Sequence, residues 1–327
     1  MLEASVLVTG CDSGIGLELC RILPKHAYYV IAICKTNDGR IRANRAIDPN
    51  FVSHDINNSR INFMKLGCSF LGDVANQDEI ESIRIDIKEL IDNGIVPPLY
   101  ALINNAAIWR FSLLTEAFVT KDTRKKEISM WNEVINTNLF GSLITVLCFT
   151  NMLKAHENGN QPRVIFISSV LDRNSLPGQG AYVTSKYGIS AIHETLCHEL
   201  HDSGIYPVII RPGALKNTNL FVKDLRLHNP PCECPLTSTE VMRESYRILL
   251  NCGQDCNIVA RTILQALDQR KPRYEYSNFM GAMPFRIAEY IPRWIFVNVV
   301  KIVLQKLALL YFPAQNLLRK WFVFKRN

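Results

Sequence analysis

Six short apolar runs recur along the first two-thirds of the chain: SVLVTG (5–10), YYVIAIC (28–34), CSFLGDV (68–74), YALINNA (100–106), RVIFISS (163–169) and YPVIIRPG (206–213). They are continuous rather than strictly alternating, the pattern of strands buried on both faces of a parallel sheet. Stretches of helical spacing separate them. This repetition predicts an α/β fold: a doubly wound parallel sheet of Rossmann type, connected by right-handed crossovers. No internal repeat and no Pro/Gly/Ser linker interrupts residues 1–220, so they are expected to form one core.

The pattern changes after Leu220. Residues 221–290, with NPPCECP and polar connectors, are expected to form a flap and helices of the same domain beside a ligand cleft. Residues 291–327 form a hydrophobic and basic carboxy-terminal extension. Within it, RWIFVNVVKIVLQKLALLYF (293–312) nearly reaches membrane-spanning length, but Asn298, Lys301, Gln305 and Lys306 interrupt it. Two readings stand: a helix lying in a membrane interface, followed by LLRKWFVFKRN, or a helix covering the cleft or a partner subunit.

Composition narrows the class. Of 327 residues, 48% are hydrophobic, enough to fill a substantial core. The net charge of +7 suits an anionic cofactor, acidic lipid or nucleic acid. Nucleic acid is not expected, because basic runs such as TRKKE (123–127) lack an aromatic platform or reading motif. The ten cysteines are spread through predicted core elements and read as reduced thiols. Cys232, Cys234, Cys252 and Cys256 lack paired C-x-x-C spacing, so no metal site is expected. The opening MLEASVLVTG shows no signal-peptide pattern, and Asn57 in NNS reads as an unmodified loop.

Two stretches carry candidate chemistry. In VTGCDSGIGLELCRIL, glycines 10, 14 and 16 lie between a strand and an apolar-periodic helix. Gly10 would permit the sharp exit, Gly14 the close approach of a pyrophosphate, and Gly16 the packing of helix on sheet. Asp73 after the third strand suits either an adenine contact or a helix N-cap. In AYVTSKYG (181–188), Tyr182 and Lys186 stand four residues apart, on one face of a helix.

Taken in order, TGCDSGIG, NNAA, SS followed by YVTSK, and RPGALKNT resemble the short-chain dehydrogenase/reductase family over roughly residues 4–220. The CDS in the first turn and the later ALDQRKPRYEYS are similar to its subgroup of retinol, hydroxysteroid and hydroxybutyrate dehydrogenases. The resemblance implies a catalytic set of Ser169, thirteen residues before Tyr182, with Tyr182, Lys186 and Asn138; Asn136 is the alternative to Asn138. Ser169 and Tyr182 would also hold the substrate. It further implies cofactor contacts at Gly10, Asp12, Ser13, Gly14, Ile15, Gly16, Lys35, Asp73, Val74, Asn104, Ala106, Tyr182, Lys186, Pro212, Gly213, Leu215 and Thr218.

The implied cofactor is NAD or NADP. The second strand ends in AICKTND, without the usual acidic residue for the adenosine ribose and without an arginine for a ribose phosphate. Lys35 favours a phosphate, whereas the subgroup favours NAD, and the lean is to NAD. The family glycine of NNAG is Ala107 here, tolerable where φ is negative.

In the expected mechanism Lys186 lowers the pKa of the Tyr182 phenol, Ser169 orients the substrate oxygen, and Asn138 holds a relay water. The expected partner is a small lipophilic alcohol or carbonyl, a retinoid or steroid, with a small hydroxy acid as the alternative substrate and a silent dinucleotide-binding scaffold as the alternative function. A homo-oligomer and an endoplasmic-reticulum membrane surface contacted through 293–327 are expected, with cytoplasmic or mitochondrial location as alternatives.

Overall fold

The computed structural model describes residues 4–51, 61–216, 218, 220, 246, 253–277 and 283–311. Asn57, Cys232, Cys234, Cys252, most of the expected flap and residues 312–327 lie outside the described residues. The eight strands are β1 (Ala4–Thr9), β2 (Tyr28–Cys34), β3 (Ile61–Met64), β4 (Gly67–Leu71), β5 (Leu99–Asn104), β6 (Arg163–Ile167), β7 (Tyr206–Ile210) and β8 (Glu275–Tyr276). They form one sheet in the order β3-β4-β2-β1-β5-β6-β7-β8.

All neighbouring strands are parallel except β3 and β4, an antiparallel hairpin in which Met64 faces Gly67. The six predicted strands are all present, although the third is displaced to 67–71, leaving Asp73 and Val74 in the loop beyond it. β3 and β8 are additions. INFM is only four residues long and interrupted by Asn62, and the two residues of β8 gain strand geometry only by pairing with Ile209 and Ile210.

The helices are α1 (Gly14–Ile22), α2 (Asn37–Ile47), α3 (Gln77–Asp92), α4 (Leu114–Ala117), α5 (Lys121–Ile135), α6 (Gly141–Phe149), α7 (Gly180–Glu199), α8 (Cys256–Asp268), α9 (Met283–Ala288) and α10 (Arg293–Tyr311). α1 packs against α2 and α8, while α3 packs against α6 and α5 against α7. Alternation along each strand divides the core between the two faces of the sheet. In β1, Val6 and Val8 join the cluster that holds Leu19 and Ile263. Leu7 joins the opposite cluster with Ile83 and Phe149.

From β1 the chain runs outward to β2 and β4, then returns beside β1 to begin β5 and run the other way. The carboxyl ends of β1 and β5 therefore diverge, and the loops that follow them border a crevice. That is where a doubly wound sheet binds ligands.

Candidate active site

The loop after β1 is shaped by its glycines. Gly10 (φ 70°) and Gly14 (φ 59°) adopt left-handed conformations that L side chains rarely take. A Cβ on Gly10 would come within 2.7 Å of the Ala106 Cα, and one on Gly16 within 2.7 Å of the Asn105 Nδ2. The turn thus lies directly on the loop after β5.

Ser13, the N-cap of α1, makes no side-chain cap hydrogen bond, and the first turn carries no acidic residue. Uncapped amides at a helix amino terminus, beside a glycine cradle, fit a pyrophosphate. Thr218 borders this cradle, 3.7 Å from the position of a Gly14 Cβ. Ile15 and Leu215 instead pack into the apolar core.

Asp12 crosses from this turn to the end of β2. Its Oδ2 accepts from the Lys35 N–H at 2.9 Å, and its Oδ1 from the Thr36 N–H at 2.9 Å and hydroxyl at 2.7 Å. Lys35 Nζ pairs with Asp73 Oδ2 at 2.6 Å, so two residues expected to touch the adenosine end engage one another here. The N-cap alternative for Asp73 is corrected: Asn76 caps α3, accepting from the Asp78 and Glu79 amides. Asp73 Oδ1 accepts from the Ala75 N–H. Val74 is buried against the start of α6 at Gly141.

After β5, the Asn104 side chain turns away from the loop and accepts from Thr145, its Nδ2 being a buried donor without a partner. Asn105 does the joining that sequence reasoning missed, donating to the carbonyls of Thr9 at 2.8 Å and Gly10 at 3.1 Å. Thr9 Oγ1 receives the Asn105 and Ala106 amides, both at 3.0 Å. Doubled asparagines after a strand are the signal, but nothing local tells which one faces the loop. Ala107 does not have positive φ, so its methyl group is accommodated without backbone strain.

The segment from Lys121 to Phe149 changes pitch at its middle, where residues Asn136–Phe140 form a π-helical turn. Asn138 is buried there and Asn136 is exposed. Asn138 Oδ1 accepts from the Ile108 N–H at 2.7 Å, and its Nδ2 donates to Ile108 O at 2.9 Å and Ser185 Oγ at 3.0 Å. The amide is therefore fully used in holding the loop after β5 to α7. That leaves its side chain no free donor for the expected relay water.

Ser169 follows the end of β6, its Oγ accepting from the Leu171 N–H at 3.2 Å, and its hydroxyl acts on the Tyr182 phenol. On α7, Lys186 Nζ lies 5.5 Å from the Tyr182 ring centre and donates to Ile167 O at 2.8 Å. Burial pushes the Tyr182 phenol up to about 12; the Ser169 hydroxyl opposes this and the Asp172 carboxylate adds to it. Burial pulls Lys186 down to about 8, opposed by Asp172. The expectation that Lys186 lowers the Tyr182 pKa is thus corrected for this structure: desolvation governs the phenol, and the ammonium is directed at a main-chain carbonyl. Pro212 completes this corner, its carbonyl accepting from the Val170 N–H at 3.0 Å, and Gly213 follows it.

A sequence model described as short chain dehydrogenase matches residues 4–226. The chain belongs to the short-chain dehydrogenase family. It is an oxidoreductase of that family, with the Rossmann-type sheet its pattern predicts.

Among family relatives, 17-beta-hydroxysteroid dehydrogenase type 6 of Rattus norvegicus is 28% identical over 302 residues, covering 88% of this chain and 84% of the relative. Retinol dehydrogenase 7 of Mus musculus is 27% identical, covering 89% and 85%. The mitochondrial D-beta-hydroxybutyrate dehydrogenase of Rattus norvegicus is 29% identical, covering 64% of this chain and 53% of that protein. In fold, the chain is similar to a short chain dehydrogenase/reductase from Burkholderia phymatum crystallised with NAD. That match has a TM-score of 0.62 and 17% identity, covering 84% of this chain and 89% of the other. A metagenomic short-chain oxidoreductase crystallised with NADP has a TM-score of 0.58 and 16% identity, covering 84% and 96%.

Proposed function

We propose that this oxidoreductase interconverts an alcohol and a carbonyl on a lipophilic substrate, a retinoid or steroid, through Ser169, Tyr182, Lys186 and Asn138. One observation carries the reading: Lys186 Nζ stands 5.5 Å from the Tyr182 ring, one helical turn further along α7, with the Ser169 hydroxyl acting on the same phenol. The steroid- and retinol-named relatives also align over far more of their own length than the hydroxybutyrate enzyme does.

A nicotinamide dinucleotide held over the glycine turn would supply the hydride-transfer chemistry. The residues do the rest. The Ser169 hydroxyl orients the substrate oxygen, and Tyr182 takes the alcohol proton in oxidation or returns it in reduction. Lys186 would hold the ribose of a bound nicotinamide nucleotide, while Asn138 holds the Ile108 backbone at the edge of the site. The proposed cofactor is NAD rather than NADP. Lys35 is engaged by Asp73, and the Asp12 carboxylate stands at the end of β2 where a second phosphate would meet like charge.

The proposed setting is a membrane surface. Trp294, 69% exposed, and Val297, 62% exposed, present apolar side chains on α10, and Tyr290 does so just before it.

Incubation with NAD or NADP and a panel of retinol, a hydroxysteroid and hydroxybutyrate tests the assignment by the absorbance of reduced cofactor. Turnover on retinol or the hydroxysteroid is expected, falling about a hundred- to ten-thousand-fold in Tyr182→Phe. Cofactor binding without turnover on any substrate would mark a scaffold instead.

A further inference from the structure

A buried carboxylate that belongs to no predicted role lies behind the serine and lysine. Asp172 is 2% exposed. Its Oδ2 accepts from the Ser168 hydroxyl at 2.7 Å, the Ser190 hydroxyl at 2.6 Å and Arg211 Nε at 2.6 Å.

These donors come from three elements. Ser168 is at the exit of β6, Arg211 at the exit of β7, and Ser190 on α7. Ser190 follows Lys186 by four residues, as Lys186 follows Tyr182, so all three share one face of the helix. A single oxygen therefore ties that face to the strand end that carries Ser169. The Asp172 main-chain N–H also donates to Ser169 O at 3.1 Å.

Behind the carboxylate the charges continue. Arg211 Nη2 donates to Ser190 at 3.3 Å, and its Nη1 pairs with Glu275 on β8. Glu275 pairs with Arg173 at 3.2 Å, which reaches Glu289, just past α9, at 3.0 Å. Asp172 is the acidic group in this chain of pairs that acts on both Tyr182 and Lys186, favouring the neutral phenol and the charged ammonium.

We propose that Asp172 is a positioning residue for the Ser169, Tyr182 and Lys186 group, holding the face of α7 in register with the ends of β6 and β7 and setting one buried negative charge behind the lysine. The proposal rests on the catalytic reading of those three residues. A buried charge held by three donors on separate elements constrains all of them at once, because moving any one leaves charge or hydrogen-bonding groups unpaired.

The test is Asp172→Asn in the full chain, which keeps the size and removes the charge. The Lys186 ammonium is titrated by NMR of isotope-labelled lysine side chains, its resonance assigned with Lys186→Arg. The pH–rate profile of alcohol oxidation is recorded beside it. Removing the anion should move the Lys186 midpoint downward from about 8 and the acid limb of the profile to lower pH.

Ser190→Ala removes a hydrogen bond but no charge, and should lower kcat without moving either midpoint. Arg211→Gln leaves Asp172 without its counter-ion and should move the Lys186 midpoint upward, a sign that serves if Asp172→Asn does not fold. A Lys186 midpoint that stays put in a folded Asp172→Asn or Arg211→Gln chain overturns the proposal. Failure of the dehydrogenase reading is seen separately, as no turnover by the unsubstituted chain while the lysine midpoint still responds.

Discussion

His193 shows how far one residue's behaviour departs from its type. On α7 it is fully buried, stacks edge-on against Tyr274 at 4.4 Å and lies 3.5 Å from the Cys197 sulfur. Burial first, and Arg211 second, pull its pKa down to about 4, below the ~6.5 of an unfolded chain. The unfolded state therefore binds the extra proton between those values. Stability is held above about 6.5 and falls as pH drops towards about 4. Thermal unfolding followed across this range should show that decline, and His193→Gln should flatten it. Residues of this kind are recognised by neighbours far away in sequence. Tyr182 and Lys186 were legible because four residues is one helical turn, and Gly10 and Gly14 because a strand that exits into a helix needs left-handed backbone. Asp172 was not, since Ser190 and Arg211 come to it from other elements.

At the scale of elements, the six apolar runs were visible because burial on both faces leaves an unbroken signature. β3 and β8 were not, because their strand geometry depends on a neighbour's hydrogen bonds more than on their own residues. The π-helical turn at Asn136–Phe140 was equally hidden, since its sequence reads as ordinary helix. That turn delivers Asn138 to the Ile108 backbone, so Asn138→Leu should strand a part-buried N–H and carbonyl. The expected loss is about 2–5 kcal/mol of stability, read as a lower urea midpoint with unchanged slope. An unchanged midpoint would mean that the amide pairing contributes little to holding the loop after β5.

The whole molecule adds surfaces and charge that no element carries alone. The segment Lys121–Met152 meets the length and apolarity of a membrane span, with 44% of its apolar window buried inside the molecule. α10 is different, with Trp294, Val297, Val299, Ile302 and Val303 all exposed alongside Lys301. Flotation with vesicles containing anionic lipid should carry the full chain upward, and Trp294→Glu with Val297→Glu should leave it at the bottom at unchanged thermal stability. Equal recovery of both would remove the membrane surface from the reading. The six core strands, the glycine turn and the tyrosine–lysine spacing were determined by local sequence, because periodicity and backbone conformation act over a few residues. Which asparagine faces the crevice, the pairing of Lys35 with Asp73 and the place of Asp172 were decided only by tertiary structure, because hydrogen bonds and desolvation depend on groups brought together from distant parts of the chain.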